Sequence, residues 1–230
     1  MTDANGIWAV VPVKETAAAK TRLAAALAPP LRRQFFLAML EDVLTALAAA
    51  PDLAGRLLVT TDDAAIGLAA RYGVRCSTEG ADDGHTGAVA AAARLLAREG
   101  RAGMLTVPGD IPLVTAAEIG RLLAAHRPPP AFTIAPSHDE KGSNAIIVSP
   151  PDAVPLRFGD DSFFPHLAAA RACGIAPTLL RLPGIALDID NPADLLHFAR
   201  LGSRTRAGLW LAQHQAALRD APTGATMSRR

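Results

Sequence analysis

Hydrophobic residues fall along this chain in short runs separated by longer amphipathic stretches. Six runs have the length and composition of buried strands: 8–13, 56–61, 104–107, 131–135, 145–149 and 178–182. Between them the apolar period becomes that of a helix. Leu31, Phe35, Met39, Val43 and Leu47 recur at helical spacing and predict one buried stripe on a long helix. Shorter helices are predicted over 62–71 and 87–98. Thr115 reads as the N-cap of a helix over 116–126, with Glu118 completing a capping box. Asn191 followed by Pro192 starts another, which runs to about Arg200.

Strands alternating with helices imply crossovers, hence an α/β fold: a doubly wound, mostly parallel sheet with helices on both faces. The alternation breaks at 128–150. There "AFTIAPS" and "AIIVSP" follow each other across "HDEKGSN" with no room for a helix, so a hairpin with one antiparallel strand is expected. Residues 1–201 form a single domain in this reading. Beyond them "TRAGLWLAQHQAALRD" predicts an amphipathic helix and "APTGATMSRR" a flexible tail, together 202–230. That helix is free to dock on its own domain or on a second copy, so a homodimer is one expectation.

Half of the 230 residues are apolar, but much of that is alanine, and no apolar run approaches the roughly 18 residues of a membrane span. "MTDANGIW" lacks the basic and apolar regions of a secretory signal. Cys76 and Cys173 are far apart, without metal-ligand or redox spacing, which suits reduced thiols in the cytoplasm. The net charge of +1, with acids and bases interspersed, argues against nucleic acid or membrane as partner.

Ligands of open α/β sheets bind beyond the carboxyl ends of the strands. The polar residues beside those ends are Lys14, Asp62 with Asp63, Asp110, Ser143 with Asn144, and Asp188 with Asp190. In "VVPVKETAAAKTRL" the cations Lys14, Lys20 and Arg22 cluster at a strand-to-helix turn, where they suit a di- or triphosphate or are solvated surface charge. In "VPGDIPLV" Asp110 ends a strand, placed for Mg²⁺ or for capping a turn. In "LDIDNPADL" Asp188 and Asp190 alternate along an extended segment and face one side. Like charges so placed favour an intervening cation, although Asp190 also suits turn chemistry. Gly142, Ser143 and Asn144 could grip a small acid. Gly159 permits a tight turn, and Ser162 either caps the next helix or joins an anion site there. His85, His126, His138, His166, His197 and His214 share no ligand spacing and read as surface or packed residues. No Walker A, GxSxG or HExxH sequence is present.

Taken in order, "VVPVKETAAAKTRL", Met39 to Asp42, "VPGDIPLV", "GSNAIIVSP", "FGDDSFFPHLAAA" and "LDIDNPADL" resemble the phospholactate guanylyltransferase family of deazaflavin coenzyme F-420 biosynthesis. The likeness runs from about Ile7 to Ala199; "FGxxSFxxH" is among its more specific elements. It implies a fold like that of molybdenum-cofactor and sugar-nucleotide transferases, and transfer of GMP from GTP to a small phosphorylated carboxylic acid. The candidate acceptors are phospholactate, phosphoenolpyruvate and phosphoglycerate. It also implies catalytic roles for Lys20, Arg22 and Asp110, and nucleotide contacts from Val11, Pro12, Lys14, Lys20, Arg22, Asp62, Thr86, Gly87 and Pro108. Mg²⁺ would be held by Asp110, Asp188 and Asp190, and the acid by Ser143, Asn144, Gly159 and Ser162. The chain departs from the family pattern at "GHTGAV", where Thr86 replaces a usual asparagine, and at Ser143, where threonine is usual. Two rivals stand beside this reading: a same-fold transferase using another nucleotide or acceptor, such as a molybdopterin or sugar phosphate, and a non-catalytic nucleotide sensor. All of them require distant residues to converge. Asp110 must lie within about 10 Å of Asp188 or Asp190 to share one ion.

Overall fold

A computed structural model describes residues 6–14, 16 and 20–214 of the chain. In chain order its elements are β1 (Ile7–Pro12), α1 (Pro29–Ala49), β2 (Leu53–Val59), α2 (Asp63–Arg71), β3 (Arg75–Ser77), α3 (Gly84–Arg98), β4 (Gly103–Thr106) and α4 (Ala116–Ala125). There follow β5 (Ala131–Pro136), β6 (Ser143–Ser149), α5 (Phe163–Ala172), β7 (Thr178–Leu179), α6 (Pro183–Ala186), α7 (Pro192–Arg200) and α8 (Arg206–Gln213). The strands form one sheet in the order β3-β2-β1-β4-β6-β5-β7. β6 runs antiparallel to both neighbours and the other pairings are parallel, so the broken alternation at 128–150 is indeed a hairpin.

Alternate residues of β1 explain why helices cover both faces. Trp8 and Val10 join Leu57, Val59 and Met104 in the core under α3, whereas Ala9 and Val11 join Leu58 and Leu105 under α1. β6 divides likewise, Ile146 and Val148 packing towards α5 and Ala145 and Ile147 towards α1. The α1 stripe is broader than predicted. Phe36, Leu40 and Leu44 form a second buried row beside Phe35, Met39, Val43 and Leu47, because α1 is covered by α8 as well as by the sheet.

The expected Thr115–Glu118 capping box and the Asn191 cap are both present, and Asp194 makes the second into a capping box as well. The short strand β3 is an addition, α3 begins a turn earlier than expected, and β7 keeps only two residues. The described part of the C-terminal helix docks on its own domain. Trp210 meets the Phe35 ring at 5.3 Å, and Asp42 of α1 accepts the Arg206 and Ala207 amides at 2.8 and 2.9 Å. Asp42 therefore caps a helix other than its own, with burial pushing its pKa up against those hydrogen bonds. The expected tail, and the end of the predicted helix, lie outside the described residues. Among the described residues no helix is long and apolar enough to cross a membrane.

Candidate active site

A cleft of about 1040 Å³ opens beyond the carboxyl ends of β1 and β4. The antiparallel β6 completes it. Because Met104 pairs with Val148 and Thr106 with Ile146, β6 begins at the edge where β4 ends. Ser143 and Asn144 thus reach the cleft from the start of their strand, while Pro12, Lys14, Pro108 and Asp110 reach it from the ends of theirs.

The acidic wall is assembled by one backbone bond. Ile189 N–H donates to Asp110 O at 3.1 Å, which sets Asp188 and Asp190 against the loop after β4. Lys20 Nζ donates to both Asp110 Oδ2 and Asp190 Oδ1, the latter at 2.5 Å. Two oxygens bonded to one nitrogen lie at most about 6 Å apart, well inside the limit for sharing an ion. Burial works against the Lys20 ammonium, but the charges and hydrogen bonds of Asp110 and Asp190 outweigh it and raise its pKa. Asp188 is pushed up to about 6, first by burial and then by the Asp110 charge. Asp110 Oδ1 is buried and without a hydrogen-bond partner among the described residues. An orphaned carboxylate oxygen in a wall with surplus negative charge fits a hard divalent cation. Among the described residues no three acidic, histidine or cysteine side chains form a ready cage. Mg²⁺ does not need such a cage, since it takes one or two carboxylates together with water and substrate phosphate.

On the basic side Lys14 and Arg22 are exposed, and Arg22 meets Asp160 at 3.2 Å. Lys20 adopts a left-handed backbone (φ 55°, ψ 44°), costly for a residue with a Cβ. That conformation opens the 3-10 turn Thr21–Leu23 while the ammonium lies between the carboxylates.

The other end of the cleft is built from small polar groups. Ser143 Oγ lies 2.9 Å from His166 Nδ1 and 3.5 Å from Ser162 Oγ. Ser162 occupies the N-cap position of α5 but makes no side-chain cap. Its amide and that of Phe163 both donate to Lys141 O, and Pro165 has none, so most of this helix N-terminus is closed to an anion. The hydroxyls remain. Gly159 sits at a bend that leads into the turn at Asp160–Asp161, as expected, but without a left-handed φ, and a Cβ there would meet nothing within 4 Å. The glycine leaves space on the cleft side.

Several expected contacts prove to be ties within the protein. Asp62 is buried, caps α2 through Ala65 N at 2.9 Å, and accepts from Thr16 N and Oγ1 at 3.0 and 2.6 Å. It pins the loop after β1 and does not line the cleft, against the expected nucleotide contact. Val11 is buried in the core and Gly87 packs against Asp83, so neither of these lines it either. Thr86 does line it, but its hydroxyl is committed to Phe158, accepting from N at 3.0 Å and facing O at 3.3 Å. Asn144 also lines it, while its Nδ2 is spent on Ile185 O and Asp188 Oδ1, both at 3.0 Å. The histidines set aside in the sequence include two that matter. His166 is 1% exposed and bonded to Ser143, and His85 lines the cleft, its ring 4.3 Å from Phe158. For His166 the one local signal was its place in the "FGxxSFxxH" element, since its partner Ser143 lies 23 residues away.

Known proteins resemble this chain in fold and in sequence. Solved structures show the fold: one assigned as a nucleotide-diphospho-sugar transferase from Desulfovibrio desulfuricans G20 superposes with a TM-score of 0.74 at 18% identity, covering 94% of this chain and 98% of that one. A nucleotidyl transferase from Methanothermobacter thermautotroptrophicus gives 0.55 at 18% identity, over 84% and 95%. Sequence relatives are nearer. A phosphoenolpyruvate guanylyltransferase of Sphaerobacter thermophilus is 41% identical over 191 residues, 83% of this chain and 91% of its own. A 3-phospho-D-glycerate guanylyltransferase of Colwellia psychrerythraea is 33% identical over 194 residues, 84% and 91%. The family profile "Guanylyl transferase CofC like" matches residues 7–223, and with that span and those relatives the chain belongs to this family of nucleotidyltransferases.

Proposed function

We propose that the protein transfers GMP from GTP to the phosphate of phosphoenolpyruvate, releasing pyrophosphate, as a step in deazaflavin coenzyme biosynthesis. The observation that carries this is the division of one cleft into a basic turn, a wall of aspartates and a pair of buried serines. A triphosphate suits the first, and a small phosphorylated acid the last. An oxygen of the acceptor phosphate attacks the α-phosphorus of GTP in line. The bond from that phosphorus to the α–β bridging oxygen breaks, and pyrophosphate leaves with the electron pair. The attacking phosphate is largely ionised near neutral pH, its second pKa being about 6. No strong base is therefore required.

Lys14, Lys20 and Arg22 serve the triphosphate and the charge that builds on the leaving group. Ser143 and Ser162 donate to the acid, and Gly159 leaves room for it. Asp110, together with Asp188 or Asp190, would hold Mg²⁺, which when bound supplies charge neutralisation at the phosphates. The choice of acid leans on the relative at 41% identity, whose name gives phosphoenolpyruvate.

The test is mass spectrometry of products from GTP, ATP, CTP and UTP with phosphoenolpyruvate, phospholactate and 3-phosphoglycerate. A guanylylated phosphoenolpyruvate is expected to dominate. A product from 3-phosphoglycerate alone would reassign the acceptor, and GTP binding without pyrophosphate release would leave a sensor.

A further inference from the structure

His166 is buried within the wall behind the acid end, its ring edge-on to Phe158 at 4.9 Å and 65°. Each ring nitrogen has one partner. Arg157 N–H points at Nε2 from 3.0 Å, and Ser143 Oγ lies 2.9 Å from Nδ1. A backbone amide can only donate, so Nε2 is the unprotonated nitrogen. The one proton of the neutral ring then sits on Nδ1 and is donated to Ser143 Oγ. Burial, with a smaller contribution from the charge of His85, pushes the His166 pKa down to about 4, so the ring is neutral at pH 7.

The consequence falls on Ser143. Its oxygen accepts from His166 behind it, so its own hydroxyl proton must turn elsewhere. The other hydrogen-bond partner of Ser143 Oγ among the described residues is Ser162 Oγ, which faces it as a donor at 3.5 Å, too long for a strong bond. The remaining direction is the cleft. The arrangement also excludes a serine nucleophile, because an activating imidazole must accept the serine proton, and here the accepting nitrogen is turned to the Arg157 backbone.

We infer that His166 is a positioning residue that fixes Ser143 as a hydrogen-bond donor into the acid end of the cleft, so that this end selects an ionised phosphate or carboxylate oxygen. The inference rests on the reading of that end as the phospho-acid site. It makes His166 a determinant of acid binding and leaves nucleotide binding to other residues.

Two substitutions separate the ring nitrogens. In H166N the side-chain amide can stand where Nδ1–H stands and donate to Ser143. In H166Q the carbonyl can stand where Nε2 stands and accept from Arg157, while the donor to Ser143 is lost. The expected result is a KM for the acid about tenfold higher in H166Q, with the KM for GTP changed by less than about twofold. H166N should recover most of that loss. With S143A as background, H166Q should add little, because both act through one hydroxyl. Nitrogen-15 NMR of histidine in the unmodified protein reads the tautomer without any variant, and Nδ1–H with a bare Nε2 is expected. An Nε2–H tautomer, an imidazolium at pH 7, or a loss in H166Q shared equally by acid and GTP would overturn the inference. If the unmodified protein turned over no phospho acid, the transferase reading would fall instead, whichever nitrogen carried the proton.

Discussion

At one end of the cleft Lys14 and Arg22 reach into water from a turn, the Arg22 side chain 65% exposed. At the other, Ser143, Ser162 and His166 are 8%, 2% and 1% exposed and bonded to one another or to backbone. Long solvated cations hold no fixed geometry and lose rotamer freedom only when a ligand orders them. Short buried polar groups have few ways to satisfy their hydrogen bonds and are set before any ligand arrives. The basic end is therefore a charge sensor organised by its ligand, and the acid end a preformed shape. Lys20 belongs to neither class: it is buried, bonded to both carboxylates, and carries the left-handed backbone.

The wall between the two ends should show the largest effect. Asp110→Asn keeps the shape and removes a charge that no part of the fold fully satisfies, since Oδ1 already lacks a partner among the described residues. Lys20 retains Asp190. Turnover should fall about 10² to 10³-fold, while the thermal midpoint moves by no more than about 3 °C. A midpoint that falls in step with activity would make Asp110 a structural residue.

Acid should act on the cleft through its histidines. His85 in the cleft lining and His166 behind the acid end, packed on the same Phe158 ring, are each pushed down to about 4, chiefly by burial. At these two sites the fold therefore binds fewer protons than the unfolded chain, whose histidines titrate near 6.5. The stability they contribute is complete above about pH 6.5 and is lost as the pH falls towards 4. For His166, at 1% exposure, the loss could reach roughly 3 kcal/mol. Urea unfolding at pH 7, 6 and 5 should show a continuous decline. Asp188, pushed up to about 6, opposes this decline, so a profile that stays flat even in Asp188→Asn would mean that these rings are charged in the fold.

Thr86→Val separates the ends again. Valine fills the same space but leaves Phe158 N and O without their partner. If Thr86 ties the loop beside Gly159, the KM for the acid should rise about tenfold and that for GTP should hold. A change confined to GTP would restore the base contact that the family resemblance implied for this position.

Every strand of the sheet except β3 was legible from periodicity, and so were the α4 and α7 caps, because each depends on neighbours within a few residues. The convergence of Lys20, Asp110 and Asp190 was legible as residue types at strand ends. What could not be read was where a polar side chain spends its hydrogen bonds. Asp62, Thr86 and Asn144 stand where ligand contacts were expected, yet they bond to Thr16, Phe158 and Asp188, 46, 72 and 44 residues away in sequence. No local pattern encodes such a partner. His166 escaped for the converse reason, since metal-ligand spacing was sought and the histidine serves a serine.

The smallest effect should come from the contact that crosses between the two ends, Arg22 with Asp160, at 3.2 Å with side chains 65% and 93% exposed. An exposed pair of this kind contributes about 0–1 kcal/mol at most. Asp160→Asn should leave the thermal midpoint within about 1 °C. Freed from Asp160, Arg22 is more available to the triphosphate, so the KM for GTP should fall, by no more than about twofold. That gain should fade towards 1 M salt, where the screening length shrinks to about 3 Å, comparable to the contact itself. The KM for the acid should not change, because the groups assigned to it are held by His166, Thr86 and Lys141 O and not by Arg22. A tenfold rise in the acid KM would show that a surface ion pair holds the Gly159 loop in place. The acid end would then be organised on binding like the basic end, and the contrast between the two would collapse.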